Sequence, residues 1–213
     1  MNSFDNPLSD FLFASLQWLS GHYIEILATI TGLIYVIYSV QGKILLWLFG
    51  LVSSLLYVVV FYRSGIYALM SINMYYVIIS IYGWFHWTFP GSNTSKKLPI
   101  SRLKKKLGLY LLLLSLVFFG VIAFILKEFT NSDVVSGDAF ITAFSITATW
   151  MLARKIMEHW LVWIVVDLIA MILYLSKELY PTVLLFLIYT VLAVVGFMEW
   201  NKQWKNQERI SAE

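Results

Sequence analysis

From Leu107 to Leu126 the chain reads "LGLYLLLLSLVFFGVIAFIL", 20 residues without a charge. At about 1.5 Å per residue such a helix is about 30 Å long, the thickness of a bilayer's hydrocarbon core. The rest of the chain is of the same kind. Of its 213 residues 60% are hydrophobic and 13% charged, and the mean hydropathy is +0.78. A soluble domain of this size carries nearly twice that share of charge, so lipid must be the solvent for much of the apolar surface. Aromatic residues make up 17%, including 9 Trp and 13 Tyr, which suits interfacial belts and ring-lined sites. The absence of cysteine excludes disulfides, thiolate metal sites and a cysteine nucleophile. Asp5 and Asp10, without a basic stretch before them, argue against a cleavable signal peptide.

Apolar runs set against turn and charge signals give seven expected membrane helices: Tyr23–Val40, Ile44–Phe61, Ile66–Trp87, Leu107–Leu126, Ala139–Leu152, Trp160–Leu175 and Tyr180–Trp200. "FLFASLQWL", before Tyr23, is too short to span and is expected to lie in the interface. Alternating the loops sorts the 15 Lys and Arg residues. Lys43, Lys96, Lys97, Arg102, Lys104, Lys105, Lys106, Arg154, Lys155, Lys202, Lys205 and Arg209 share one side, and only Arg63, Lys127 and Lys177 take the other. The positive-inside rule then puts the N-terminus outside and the C-terminus in the cytoplasm. The same rule reads "PGSNTSKKLPISRLKKK" as a cytoplasmic anchor beside a span rather than a nucleic-acid site.

Shifted by 113 residues, the chain resembles itself without a gap. Thr29 meets Thr142, Trp47 meets Trp160, Tyr67 meets Tyr180, Tyr76 meets Tyr189, Gly83 meets Gly196 and Trp87 meets Trp200, while Glu25 meets Asp138. Matched Trp and Gly pairs carry more weight than matched Leu or Val in so apolar a chain. Three spans per repeat is an odd number, so a fourth helix between the repeats keeps them parallel. The expected plan is therefore all-α and 3+1+3, SWEET-like by fold analogy alone, with a site between the halves near mid-membrane. Its segments are an N-terminal interfacial stretch (1–22), a first repeat (23–88), a basic cytoplasmic loop (89–106), a linker helix (107–127), a second repeat (138–200) and a cytoplasmic tail (201–213).

In "HWLVWIVVDLIAMILYLSKELY" one aspartate, Asp167, is the sole charge between Trp160 and Leu175. An intramembrane carboxylate costs about 2.5–3.5 kcal/mol on insertion scales and marks a cavity or a partner. No Lys or Arg sits mid-span to neutralise it, so a water-accessible cavity is expected. At about 100° per residue, Trp160, Trp163, Asp167, Met171 and Tyr174 share one stripe of their helix. Asn73, Tyr76, Ser80, Trp84 and Trp87 make a second stripe, and Thr142, Ser145 and Thr149 add a hydroxyl face. Packing or anchoring explains Ser80, Trp84, Trp87 and the three hydroxyl residues as well as ligand contact does, and it explains Met171 and Tyr174 better. Gly83 and Gly196 suit close helix approach. His22, His86 and His159 lie near span ends, where interfacial positions are expected, and form no metal-spacing pair. With no carboxylate dyad, nucleophile elbow or phosphate loop, no catalytic residue, metal or cofactor is expected.

"NMYYVIISIYGWFHW" and "ARKIMEHWLVWIVVDLIAMILY" resemble the PnuC family of vitamin transporters. The resemblance spans about residues 25–200 and rests on Tyr82, Gly83, Trp84 and Trp87 together with the run from Arg154 to Asp167. It implies a 3+1+3 protein of a bacterial inner membrane that carries an unphosphorylated vitamin inward by facilitated diffusion, with trapping by cytosolic phosphorylation. The substrate implied is chiefly nicotinamide riboside, a precursor for pyridine nucleotide biosynthesis, with thiamine or riboflavin in some branches, and the assembly implied is a homotrimer. The family's Trp-x-x-Trp-x-x-x-Asn/Asp motif falls on Trp160, Trp163 and Asp167, and its third-helix amide position on Asn73, where Gln is frequent. Tyr76 and Ser80 complete the expected substrate-binding set. The competing class, a membrane receptor or scaffold, is opposed by the repeat and the polar interior stripes.

Overall fold

The structure, a computed structural model, describes residues 7–89, 98–129 and 135–212. These form seven helices: α1 (Pro7–Val40), α2 (Leu45–Arg63), α3 (Tyr67–Thr88), α4 (Lys105–Phe129), α5 (Val135–Ala153), α6 (His159–Ser176) and α7 (Tyr180–Ala212). Each expected span is a helix, and the fold is all-α. Lys96 and Lys97 of the basic loop lie outside the described residues.

Two boundaries differ from the sequence expectation. The stretch before Tyr23 is no separate helix, because α1 runs unbroken from Pro7. Only Gly21 opposes continuity there, and a mid-helix glycine costs about 1 kcal/mol, too little to stop an otherwise apolar helix. At the other end α7 carries on through most of the expected tail. Glu199 accepts a hydrogen bond from Gln203 at 3.0 Å, and Arg102 lies 5.0 Å from the Trp204 ring. At 33 residues, α7 is about 50 Å long and outreaches the hydrocarbon core.

The helices close into a ring. α1 packs on α2, α2 on α3, α3 on α5, α5 on α6, α6 on α7 and α7 on α1. α4 stands outside this ring and touches only α5, where Ser115 and Thr147 share a hydroxyl–hydroxyl bond of 2.7 Å. Among the described residues five segments are long and apolar enough to cross a membrane: Gly21–Val40, Leu45–Arg63, Lys105–Phe129, His159–Ser176 and Thr182–Ile210. α3 and α5 fall short because polar residues interrupt their apolar stretches, and the two helices pack on each other in the ring. α5 hides Ala139, Ala143, Ser145, Ala148 and Thr149, small residues of the kind that allow close helix contact in lipid.

The four positive-φ residues of the described chain fall into two pairs 113 apart: Gly42 (64°) with Lys155 (55°), and Gly65 (70°) with Glu178 (59°). Each ends a helix in the same way, with the next residue's N–H reaching back five residues. Lys43 bonds to the Tyr38 carbonyl, Ile66 to Phe61, Ile156 to Met151 and Leu179 to Tyr174, at 2.9–3.0 Å. This is the left-handed cap that glycine adopts without penalty. A side chain there costs about 1–2 kcal/mol, partly offset by glycine's larger unfolded-state entropy. Glu178→Gly should therefore stabilise the protein by about 0.5–1 kcal/mol, readable as a higher midpoint in thermal unfolding in detergent.

At the end carrying the α1–α2 and α5–α6 turns, four tryptophans belong to one buried cluster. Trp47, Trp87, Trp160 and Trp200 are all buried. Trp47 meets Trp87 edge to face at 5.6 Å, and Trp160 meets Trp200 likewise at 6.0 Å. Gly83 and Gly196 seat the Trp47 and Trp160 indoles, where any Cβ would overlap the ring. These glycines admit a ring rather than a helix backbone. Each remaining indole reaches a neighbouring helix: Trp87 Nε1 of α3 donates to the Ala153 carbonyl of α5 and Trp200 Nε1 of α7 to the Ser39 carbonyl of α1, both at 3.0 Å. His159 corrects the interfacial expectation. It is fully buried between Trp160 and Trp200, with ring centroids at 4.5 and 4.8 Å, because the α5–α6 turn folds inward at its position.

Below this cluster the extended segment 98–104 is tied to the same turn. Ser101 donates its N–H to the Lys155 carbonyl and accepts one from Met157, at 3.0 and 2.9 Å. Glu158 accepts the Leu103 N–H at 2.7 Å and pairs with Arg102 at 3.2 Å.

Candidate functional site

The ring of helices encloses two adjoining chambers, of about 450 and 220 Å³. Gly32, Tyr35, Tyr57 and Trp163 line both, so these residues form the partition between them. The larger chamber also meets Trp160, Asp167, Ser145, Phe186 and Tyr189. The smaller is walled by Ser54, Asn73, Tyr76, Ser80 and Thr149. Glycine makes the partition possible: a Cβ on Gly50 would come within 2.9 Å of the Tyr35 ring.

Among the described residues Asp167 is the one charged residue lining either chamber. Its side chain is 4% exposed, and no hydrogen bond or ion pair engages the carboxylate among the described residues. A carboxylate so placed favours a cation or a hydrogen-bond donor in the chamber beside it. Trp163 stands one helical turn away at the partition, half-buried, and offers aromatic surface for a flat ring. Trp160 has a different setting. Its ring is buried in the tryptophan cluster against Gly196, so it closes the end of the larger chamber. Its Nε1 has no hydrogen-bond partner.

The other expected residues divide between the chambers. Asn73, Tyr76 and Ser80 face the smaller one, and Trp163 alone of the expected set meets both. Asn73 donates Nδ2 to the Leu69 carbonyl at 2.8 Å, which leaves its Oδ1 as an acceptor. Of the other stripe members, Ser145 and Thr149 reach a chamber, while Met171, Tyr174, Trp84, Trp87 and Thr142 line neither. Tyr174 instead stacks on Phe186 at 5.3 Å. Among the described residues no group of His, Cys, Asp or Glu could hold a metal ion.

The family model described as nicotinamide mononucleotide transporter matches residues 22–202. The chain belongs to this transporter family. Among curated relatives, the nicotinamide riboside transporter PnuC of Escherichia coli (strain K12) is 25% identical over 211 residues, covering 88% of this chain and 87% of that protein. The nicotinamide riboside transporter PnuC of Neisseria mucosa is 25% identical over 202 residues, covering 90% and 75%. The fold matches a crystal structure of the vitamin B3 transporter PnuC with a TM-score of 0.69 at 24% identity, over 92% of this chain and 88% of that one. The sequence resemblance to PnuC is thus correct at the level of the family.

In this PnuC-family chain the chambers contain residues that sequence reasoning passed over. Tyr35 and Tyr57 both stand at the partition, and Thr29 and Tyr189 line the larger chamber. A signal for Tyr57 was present: Ser53, Ser54 and Tyr57 share one face of α2 at helical spacing. Positions 113 apart also differ: Trp163 corresponds to Gly50, Asp167 to Ser54, Phe186 to Asn73 and Ala170 to Tyr57. The charge thus falls on α6, while rings line the chambers from α2 and α3 as well as from α6 and α7.

Proposed function

We propose that this protein takes up nicotinamide riboside across a bacterial cytoplasmic membrane by facilitated diffusion, with cytosolic phosphorylation trapping the product. The observation that carries this reading is Asp167, a buried carboxylate without an ion pair that lines the larger chamber one turn from Trp163. Nicotinamide riboside is a flat pyridinium cation with an amide and ribose hydroxyls. A tryptophan face attracts such a ring by about 0.5–2 kcal/mol, depending on desolvation. Asp167 balances the positive charge or accepts hydroxyls, and the free Oδ1 of Asn73 accepts an amide N–H. The names of the relatives point to the same vitamin.

The chambers also favour the nucleoside over its nucleotide. No Lys or Arg lines either of them, so a phosphate carrying about −1.5 to −2 charges would face Asp167 uncompensated. Thiamine is the second reading, because its thiazolium meets the same carboxylate. Riboflavin, a neutral flat molecule, gains nothing from that charge.

One deep carboxylate offers little for ion coupling, since a cationic substrate occupies its neighbourhood. In proteoliposomes held at zero potential, internal nicotinamide riboside should rise to the external concentration and stop until a kinase is enclosed. Accumulation beyond that level under a pH or sodium gradient alone would overturn facilitated diffusion. Absence of any saturable uptake would favour a receptor or scaffold.

We read the ring as two parallel repeats, residues 23–88 and 138–200, joined by α4, with the N-terminus outside. The matching left-handed caps, glycine-seated indoles and reciprocal indole hydrogen bonds support this plan. The chain has no cysteine, so single ones can report the orientation. Lys106→Cys and Arg209→Cys should label only from the cytoplasmic side, and Ser64→Cys only from outside. Labelling of all three from one side would contradict the topology.

A further inference from the structure

Thr29 Oγ1 takes part in two hydrogen bonds, one to the Glu25 carbonyl at 2.9 Å and one with the Tyr57 hydroxyl at 3.0 Å. A carbonyl oxygen only accepts, so the threonine proton points to Glu25. The contact with Tyr57 must then be made with the tyrosine proton. The direction of the whole relay follows: Tyr57 donates to Thr29, and Thr29 donates to the backbone of α1. Tyr57 lines both chambers and Thr29 the larger one. With its proton committed, the phenol presents only lone pairs to the cavity. Asp167, lining the same chamber, presents only lone pairs as well.

We infer that Tyr57 is a specificity-determining residue, oriented by Thr29 as an acceptor, and that it makes the site select a carboxamide over the corresponding carboxylate. The inference rests on the reading of the site as one for nicotinamide riboside. A carboxamide and ribose hydroxyls bring donors to this wall. The acid analogue, nicotinic acid riboside, replaces the donor-bearing amide with an anion that meets lone pairs from Tyr57 and a like charge from Asp167. Thr29 is exposed and Tyr57 half-buried on this wall, and a site with one hydrogen-bond direction discriminates against a ligand that reverses it, because both groups lose water on binding and gain no bond. Tyr57 has no counterpart in the other repeat, where Ala170 stands 113 residues on, so the device belongs to one side of the partition.

The test is the ratio of affinities for nicotinamide riboside and nicotinic acid riboside, measured by calorimetry on the purified full-length protein. Wild type should prefer the amide by about tenfold or more. Thr29→Val removes the relay acceptor and frees the phenol proton to turn into the chamber, where it can serve a carboxylate. The ratio should fall by about threefold or more in Thr29→Val, and Thr29→Ser, which keeps the hydroxyl, should restore it. Tyr57→Phe deletes the acceptor and should lower the ratio too, which keeps the test decisive if Thr29→Val fails to insert. A purely structural role would weaken both ligands together and leave the ratio alone. No preference in wild type, or an unchanged ratio in Tyr57→Phe or in an inserted Thr29→Val, would overturn the inference. Failure of wild type to bind nicotinamide riboside at all would instead sink the function proposed above.

Discussion

Asp167→Asn should leave a folded, membrane-inserted protein that binds nicotinamide riboside about 100-fold more weakly. The substitution preserves the side chain's shape and removes only the charge. Truncating one member of a buried, hydrogen-bonded charge pair costs about 2–5 kcal/mol, and 100-fold corresponds to about 2.7 kcal/mol. Folding should not suffer, because the carboxylate has no protein ion pair to lose and its burial opposes insertion rather than favouring it. A neutral, isosteric ligand tests the cause: dihydronicotinamide riboside lacks the positive ring and should be nearly indifferent to the change. Equal loss for both ligands would show that Asp167 acts through shape or hydroxyl contacts, not through charge.

Trp200→Ala should be the most destabilising single change in the tryptophan cluster, by about 3–5 kcal/mol. The indole is fully buried, meets Trp87, Trp160 and His159, and donates the hydrogen bond that ties α7 to Ser39 of α1. Truncation leaves a cavity where α1, α3 and α6 meet α7 and removes one of the two hydrogen bonds that the Ser39 carbonyl accepts, the other coming from the Gly42 N–H. Trp200→Phe keeps a six-membered ring and loses the hydrogen bond with part of the packing, so its cost should be smaller, near 1–3 kcal/mol. Trp87→Ala should behave in the same way through Ala153, the partner contact on the other side. Thermal unfolding in detergent orders the three variants. A Trp200→Ala protein as stable as wild type would show that the cluster is not what joins these helices.

Five of the seven helices were legible because lipid demands long apolar runs, and α3 and α5 were legible as apolar runs set between turn and charge signals. The resemblance between positions 113 apart, which we read as a repeat, was legible through residues that cannot be exchanged freely. Gly83 and Gly196 match because each must admit an indole, and Trp47 and Trp160 match because each fills that seat. The left-handed caps at Lys155 and Glu178 were not legible, since glycine marks them only at the positions 113 residues earlier, Gly42 and Gly65. His159 misled for a related reason. Its place at a span end suggests an interface, but tertiary packing of four tryptophans decides its surroundings. Asp167 stood out because a lone charge in an apolar run has few explanations. Tyr35 and Tyr57 did not, because a tyrosine in a membrane helix fits an interface, a contact or a cavity equally well. The division of the site into two chambers depends on how neighbouring helices turn toward each other, which periodicity within one helix does not specify.

Calorimetry on the purified protein with nicotinamide riboside, nicotinamide mononucleotide, thiamine and riboflavin tests the central claim most directly. Nicotinamide riboside should bind saturably at one site per chain, with riboflavin silent and the mononucleotide weaker by about 100-fold or more, as an unpaired phosphate beside a buried carboxylate requires. Equal or tighter binding of the mononucleotide, or no binding of nicotinamide riboside, would contradict it.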